Sequence, residues 1–176
     1  VVDGERTTLF DDATGSIAWF DNADLTDDTL QLERTETPSA HHGVATVRAD
    51  GSVVHTIGDE ESRAGVLVKD KTGREVARNE QCPGVHGEAY VGDTLAFGCE
   101  DGVLLLRGNE FTKVAAEASY ARMGNLFGHG DSDVLLTDYK TDPDAELERP
   151  EQVALVGVKN ERLRLVDLGA SYSFRS

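Results

Sequence analysis

Five histidines are the residues of this chain best suited to metal chemistry: His41, His42, His55, His86 and His129. Three of them, His42, His86 and His129, directly precede a glycine, at spacings of 44 and 43 residues. Imidazole nitrogen is a common ligand of Zn²⁺, which takes four N, O or S ligands in tetrahedral geometry. If these three histidines occupy equivalent points of successive structural repeats, they can converge on one zinc ion.

Two acidic residues follow these histidines at a spacing that matters in a strand. Glu88 lies two residues after His86, and Asp131 lies two residues after His129. Residues i and i+2 of a strand point to the same face, so either carboxylate could be a further ligand or could orient the imidazole ring. The histidines could equally be structural residues held by hydrogen bonds, and His55, inside a strand pattern, is interpreted in that way.

The chain contains two cysteines, Cys82 and Cys99. They could form a disulfide, act as a pair of metal ligands or remain two unrelated thiols. Both lie beside proline or glycine near the ends of predicted strands, where a cross-link fits, and this favours a disulfide. A disulfide in turn indicates an extracytoplasmic compartment, either periplasmic or extracellular.

Short β-strands are the elements that would position these side chains. β-rich runs separated by Gly, Asp and Asn turns predict strands at residues 16–20, 30–34, 44–47, 52–57, 65–69, 75–78, 89–91, 94–97, 103–107, 111–114, 134–139, 153–158 and 163–166. Asp50-Gly51, Gly92-Asp93, Asp101-Gly102 and Gly108-Asn109 are two-residue signals of tight hairpins. No segment shows a sustained 3.6-residue period with helix caps. The sequence therefore predicts an all-β fold.

The spacing between the His-Gly pairs matches the length of one four-stranded propeller blade. We therefore predict β-propeller-like blades of four antiparallel strands within a single domain, with about four blades' worth of chain. The blades are expected at about residues 1–40, 41–84, 85–121 and 122–176. After His129 no short strand precedes the strand at 134, so His129 is expected at the far end of its inner strand. The chain could close alone as a small propeller, be completed by a second copy as a homodimer, or be part of a longer chain.

The charge balance restricts the possible partners. The chain carries 17 Lys and Arg against 33 Asp and Glu, a net charge of −16. Nucleic acids and anionic membrane surfaces require a basic footprint, so neither is expected as a partner. No run of 18 apolar residues exists in the sequence, so no membrane insertion is expected. An acidic surface attracts cations in a diffuse way.

Three strings of this sequence resemble the AztD-type periplasmic zinc metallochaperones. They are H-H-G-V-A at 41–45, C-P-G-V-H-G-E-A at 82–89 and G-D-T-L-A-F-G-C-E-D-G-V-L-L-L at 92–106, with a looser match at G-N-L-F-G-H, 124–129. The resemblance implies a β-propeller that binds zinc and delivers it to the periplasmic solute-binding protein of an ABC-type zinc importer. It implies that His42 and His86 are the first candidate ligands and His129 the next, and it supports a Cys82–Cys99 disulfide. His41 competes with His42, because neighbours on one strand cannot both point into the channel.

The sequence departs from this family in two respects. Family members are substantially longer, and their His- and Asp-rich flexible loop has no counterpart here. The leading hypothesis is a non-catalytic zinc metallochaperone, and the alternative is a structural or protein-binding propeller without a metal. A propeller hydrolase with a channel Ca²⁺ would need carboxylate and asparagine ligands that these residues do not assemble. The sequence also lacks the G-x-S-x-G and G-x-x-x-x-G-K-[ST] motifs of hydrolases and nucleotide-binding enzymes.

Overall fold

Four antiparallel sheets of four strands each form this structure, a computed structural model that describes residues 2–3, 5–26, 28–145 and 149–173. In every sheet each strand pairs with the next strand in the chain, so each sheet is a simple meander. The prediction of an all-β fold with four-stranded antiparallel blades is confirmed. Across the described residues, the structure holds no helix with the length and apolar character that crossing a membrane requires.

One compact unit, Val1–Glu80, contains the first two sheets. Sheet 1 consists of β1 (Val2–Asp3), β2 (Arg6–Asp11), β3 (Ser16–Asp21) and β4 (Glu33–Glu36), and a 3₁₀ turn (Asn22–Thr26) follows β3. Sheet 2 consists of β5 (Ala45–Val47), β6 (Val53–Gly58), β7 (Arg63–Lys69) and β8 (Glu75–Asn79). The core between these sheets contains Ile17, Ala45, Val47 and Val53, with Phe10 and Trp19 packed against it.

A second compact unit, Gln81–Ser176, contains the other two sheets. Sheet 3 consists of β9 (His86–Val91), β10 (Thr94–Cys99), β11 (Gly102–Arg107) and β12 (Glu110–Ala115). Sheet 4 consists of β13 (Leu126–Phe127), β14 (Val134–Asp138), β15 (Gln152–Gly157) and β16 (Arg162–Asp167). Their shared core includes Ala96, Leu105, Met123, Leu135 and Val156.

The central strands of each sheet explain why the sequence folds in this way. All six residues of β10 are buried, and so are five of the six in β11. Such continuous apolar runs are typical of strands covered on both faces, whereas half-exposed strands alternate. The turns Gly92-Asp93 and Gly108-Asn109 join β9 to β10 and β11 to β12, as predicted.

Sheet 1 differs most from the sequence-based expectation. Strand β2 was not predicted, and β4 begins at Glu33, three residues after the predicted start. Both strands are rich in charged and hydroxyl residues, so their hydrophobic pattern is weak. Pairing with β3, whose Ile17 is fully buried, decides their extent.

The disulfide between Cys82 and Cys99 is present, so this prediction is confirmed. The two Cα atoms lie 4.9 Å apart, and both residues are buried. The bond joins the segment ahead of β9 to the last residue of β10. It therefore fixes the point at which the chain enters β9, whose first residue is His86.

Candidate metal centre

His42 lies in the connection ahead of β5 and is paired with Asp12. Its Nδ1 is 2.5 Å from Oδ2 of Asp12, and the Gly43 N–H donates to the other carboxylate oxygen over 3.2 Å. A carboxylate can only accept, so Nδ1 carries the proton and the lone pair is on Nε2. This carboxylate–histidine arrangement is typical of zinc-ligating imidazoles. The His42 side chain is 62% exposed and therefore accessible to an ion.

The same contacts act on Asp12 itself. Partial burial raises its pKa, but the hydrogen bonds from His42 and Gly43 outweigh this and lower the pKa below its usual value. Asp12 therefore stays ionised and continues to accept from Nδ1 of His42. Sequence reasoning missed Asp12, because it lies 30 residues before His42 and no pattern distinguishes it among 33 acidic residues.

His41 has an entirely different environment from its neighbour. It is only 4% exposed, and its ring meets Phe10 edge-on at 5.1 Å between centroids. Its Nδ1 lies 3.0 Å from the Ser39 carbonyl oxygen, which it must donate to, and Nε2 lies 2.9 Å from the Thr56 hydroxyl. His41 is buried with both ring nitrogens hydrogen-bonded, whereas the His42 side chain is exposed, so His42 is the better candidate of the pair.

In His86, as in His42, the Nδ1–H of the ring donates to an oxygen atom. Its Nδ1 lies 2.9 Å from the carbonyl oxygen of Gly124. A carbonyl oxygen also only accepts, so the lone pair of the neutral ring is again on Nε2, the nitrogen that would bind a metal. Gly87 makes this contact possible, because a Cβ at that position would overlap the Gly124 oxygen.

A β-bulge at Gly87 changes the relation between His86 and Glu88. His86 pairs with Gly98, but Glu88 pairs with Phe97. Paired residues share a face of a sheet and adjacent residues do not, so His86 and Glu88 point to opposite faces of sheet 3. The expectation that Glu88 would join or orient His86 is therefore wrong. Burial raises the pKa of Glu88 to about 7.

His129 follows the end of β13, and its hydrogen bonding differs from that of the other two candidates. Its Nδ1 accepts the Asp131 N–H over 3.1 Å, so the proton of the neutral ring is on Nε2. This is the opposite tautomer to that of His42 and His86. The His129 side chain is 73% exposed, and the Asp131 carboxylate lies 3.9 Å from Nδ1. A Cβ on Gly130 would meet open space, so this glycine has no packing role like that of Gly87.

His55 is buried within β6. It is fully buried, its Nδ1 donates to the Thr56 carbonyl oxygen over 2.8 Å, and its Nε2 finds no hydrogen-bond partner among the described residues. Burial lowers the pKa of His55 to about 4. The ring is therefore neutral at neutral pH and packs as part of sheet 2, in keeping with its interpretation as a structural residue.

In the described part of the chain, no group of three or more His, Cys, Asp or Glu side chains is placed to hold a metal ion. Each of the two units instead contains one candidate histidine, His42 in the first and His86 in the second, whose Nδ1–H is held by an oxygen atom.

Sequence and structure comparisons both find a similarity between this chain and one known protein. No protein-family model matches the chain. The zinc chaperone AztD of Citrobacter koseri is 30% identical over 132 residues, which cover 68% of this chain and 31% of that protein. A structure of apo AztD from the same organism aligns with 97% of this chain at a TM-score of 0.80 and 22% identity, over 47% of its own length.

A second structural match supports the same fold. A crystal structure of AztD from Citrobacter koseri aligns with 98% of this chain at a TM-score of 0.65 and 18% identity. The alignment covers 58% of that structure. This chain therefore spans about a third of the related zinc chaperone by sequence, and between 47% and 58% of the solved structures.

Proposed function

We propose that this chain, a relative of the zinc chaperone AztD that spans part of its length, binds Zn²⁺ as cargo and passes it on without catalysing a reaction. The observation that carries the proposal is that His42 and His86 both donate Nδ1–H to an oxygen atom. The lone pair of each neutral ring is then on Nε2, the nitrogen through which the ring would bind zinc. The related protein is a zinc chaperone, which supports the same function.

The residues around His42 suit a side chain that must both bind a zinc ion and release it. The Asp12 carboxylate holds the ring and increases the basicity of Nε2, which strengthens binding to zinc. Exposure of the ring leaves a path for a receiving protein. Protons compete with zinc for Nε2, so affinity falls as pH falls. His129 is the third candidate, and it could ligate through Nδ1 only by giving up the Asp131 N–H.

We further propose that the receiver is the periplasmic solute-binding protein of an ABC-type zinc importer. The buried Cys82–Cys99 disulfide supports an extracytoplasmic location, since such bonds persist in oxidising compartments.

The four sheets support blades at about residues 1–40, 41–84, 85–121 and 122–176. A homodimer that completes a ring is tested by light scattering, where a mass of twice 19.0 kDa is expected.

Calorimetric titration with Zn²⁺ at neutral pH tests the binding proposal. Replacing His42 and His86 together with alanine should weaken zinc affinity at least about 10-fold, since each substitution removes a ligand. A parallel titration with Mg²⁺ is the control for diffuse attraction by the acidic surface. Unchanged zinc affinity in the double variant would contradict the assignment and favour the alternative, a structural or protein-binding propeller.

A transfer assay tests the delivery proposal separately. The zinc-loaded chain is mixed with the solute-binding protein, and the appearance of zinc in that protein is followed over time. Direct delivery predicts a transfer rate that rises with the concentration of the receiver. A rate that stays equal to spontaneous zinc dissociation at all receiver concentrations would rule out direct delivery.

A further inference from the structure

The carbonyl group that holds His86 belongs to a tightly constrained peptide. Gly124 and Asn125 lie in the connection between sheet 3 and β13, within the string G-N-L-F-G-H. The Met123 N–H donates to the Cys99 carbonyl oxygen over 3.0 Å. This contact fixes the near end of the segment to the last residue of β10, which the disulfide also anchors.

Asp138 fixes the far end of the same segment. This carboxylate is 1% exposed and lies at the end of β14. Its Oδ1 accepts the Asn125 N–H over 3.0 Å, and its Oδ2 accepts the Asn125 side-chain amide over 2.6 Å. The Asp138 N–H donates back to the Asn125 carbonyl oxygen over 3.3 Å. Thr137 Oγ1 also donates to Oδ1 over 3.3 Å, and the Lys140 ammonium lies 3.9 Å from Oδ2.

Peptide geometry couples these contacts to His86. The C=O of Gly124 and the N–H of Asn125 belong to one peptide group, which is planar and trans. Within that plane, the C=O and the N–H point to opposite sides of the C–N bond. When Asp138 accepts the N–H on one side, the carbonyl oxygen is aimed to the other side, where Nδ1 of His86 lies 2.9 Å away.

We propose that Asp138 is a positioning residue for His86, because it orients the Gly124–Asn125 peptide whose carbonyl oxygen accepts the Nδ1–H of His86. The carboxylate also polarises that peptide, which strengthens the acceptor and favours the tautomer with its lone pair on Nε2. The effect of Asp138 on the His86 ring stands on its own. Its consequence for zinc rests on the proposed function.

The ring nitrogens of His86 provide the direct test. In ¹⁵N-labelled, zinc-free protein at about pH 8, above the usual imidazole pKa, long-range ¹H–¹⁵N spectra distinguish the two tautomers. The wild-type chain should show a protonated Nδ1 and an unprotonated Nε2. Asp138→Ala should shift the His86 population towards the Nε2–H tautomer and weaken zinc affinity by about 10- to 100-fold, the range for residues that support a ligand.

A double variant separates positioning from a general loss of structure. In Asn125→Asp the new carboxylate faces the Asp138 carboxylate, so neither side chain can donate to the other. Adding Asp138→Asn restores one amide opposite one carboxylate, leaves the amide oxygen to accept the N–H of residue 125, and should restore the His86 tautomer. Asp133→Asn is the matched control, because Asp133 is an exposed carboxylate next to the same strand and pairs with Lys159 at 2.8 Å. This control should leave the His86 signals unchanged.

The His86 signals of these variants decide whether Asp138 positions the ring. His86 signals that stay unchanged in folded Asp138→Ala or Asn125→Asp protein would overturn it. If Asp138→Ala does not fold, the double variant decides, and failure to recover the wild-type tautomer would overturn the inference. The proposed function fails in a different way, because then His86→Ala would bind zinc as the wild type does while the tautomer still responds to Asp138.

Discussion

At the scale of single residues, neighbouring histidines in this chain have different roles because their nitrogens have different partners. His41 is buried with both nitrogens hydrogen-bonded, whereas His42 is exposed and donates to Asp12. The tautomer of each ring, and not only its position, decides which nitrogen could bind zinc. His42 and His86 share the tautomer with the proton on Nδ1, and His129 has the opposite one.

Substitution of the two adjacent histidines should therefore separate stability from zinc binding. His41→Ala should lower the free energy of unfolding by about 2–3 kcal/mol, because it leaves a cavity beside Phe10 and unpaired buried groups. His42→Ala should change that free energy by less than about 0.5 kcal/mol, as is usual at exposed sites, and should weaken zinc affinity. Urea denaturation and calorimetry measure the two effects. The reverse pattern would show that His41 is the ligand.

His55 should make the protein sensitive to acid. Burial holds its folded-state pKa at about 4, while the unfolded chain has about 6.5. The positive charges of Lys69, Arg78 and His41 also oppose a positive charge there, whereas the Glu75 carboxylate favours one. The unfolded state binds more protons between these values, so stability is lost as pH falls from about 6.5 to about 4, by up to about 3 kcal/mol.

The substitution His55→Leu checks this assignment. Denaturation followed across that pH range should show a flatter loss of stability than in the wild-type chain. His129→Ala is the control, because His129 is exposed and its loss should keep the wild-type slope. An unchanged slope in His55→Leu would mean that another group causes the acid sensitivity.

Glu88 should have the opposite pH dependence. Burial raises its folded-state pKa from 4.5 to about 7. The folded state then binds more protons between these values, so stability is lost as pH rises through this window, by up to about 3 kcal/mol. Glu88→Gln should therefore raise the melting temperature above about pH 7 and have little effect near pH 4. A variant that is less stable than the wild type at high pH would contradict this.

At the scale of elements, the bulge in β9 decides which side chains share a face. Gly87 has a φ of 23° and packs against the Gly124 oxygen, so the strand gains one residue between His86 and Glu88. Gly43 is also required by space, because a Cβ there would lie 2.6 Å from the Thr56 hydroxyl. The two His-Gly pairs at His42 and His86 therefore depend on glycine for close packing.

Alanine substitution of the glycines tests this difference between the His-Gly pairs. Gly87→Ala should lower the free energy of unfolding by about 2 kcal/mol or more, because it adds both backbone strain and overlap. Gly130→Ala, the matched change in the third pair, should stay within about 0.5 kcal/mol, because its side chain would meet open space. Thermal and urea denaturation provide the measurement. Equal effects at both positions would refute the packing argument.

At the scale of the whole molecule, excess negative charge acts against the folded state. A net charge of −16 on 176 residues produces self-repulsion that is strongest in the compact state. The cores of the two units, built from apolar central strands, must outweigh this repulsion. Strong acidity also explains why diffuse cation attraction must be separated from specific zinc binding.

Salt should therefore stabilise this protein. Raising NaCl from about 0.05 M to about 0.5 M shortens the Debye length to a few Å and screens the repulsion. We expect the melting temperature of the metal-free chain to rise by several degrees, as for about 1 kcal/mol in a domain of this size. KCl in place of NaCl should give the same rise. A fall in melting temperature would show that favourable ion pairs outweigh the repulsion.

The sequence by itself determined the architecture of this protein. Alternating and continuous apolar runs, punctuated by pairs such as Gly92-Asp93 and Gly108-Asn109, were sufficient to predict four-stranded antiparallel blades. These signals are local, because a strand and its hairpin partner are close in the chain. The Cys82–Cys99 disulfide was predicted from nearby strand ends in the same way. Sheet 1 was predicted least well, because the hydrophobic pattern of β2 and β4 is weak.

Only the tertiary structure decided the chemistry of the candidate site. Asp12 reaches His42 from 30 residues away, and Gly124 reaches His86 from 38 residues away. The one-residue bulge at Gly87 turns Glu88 to the other face of its sheet. Hydrogen-bond partners and strand register depend on how distant segments pack. They set which nitrogen of each ring carries the proton, and residue spacing does not encode that.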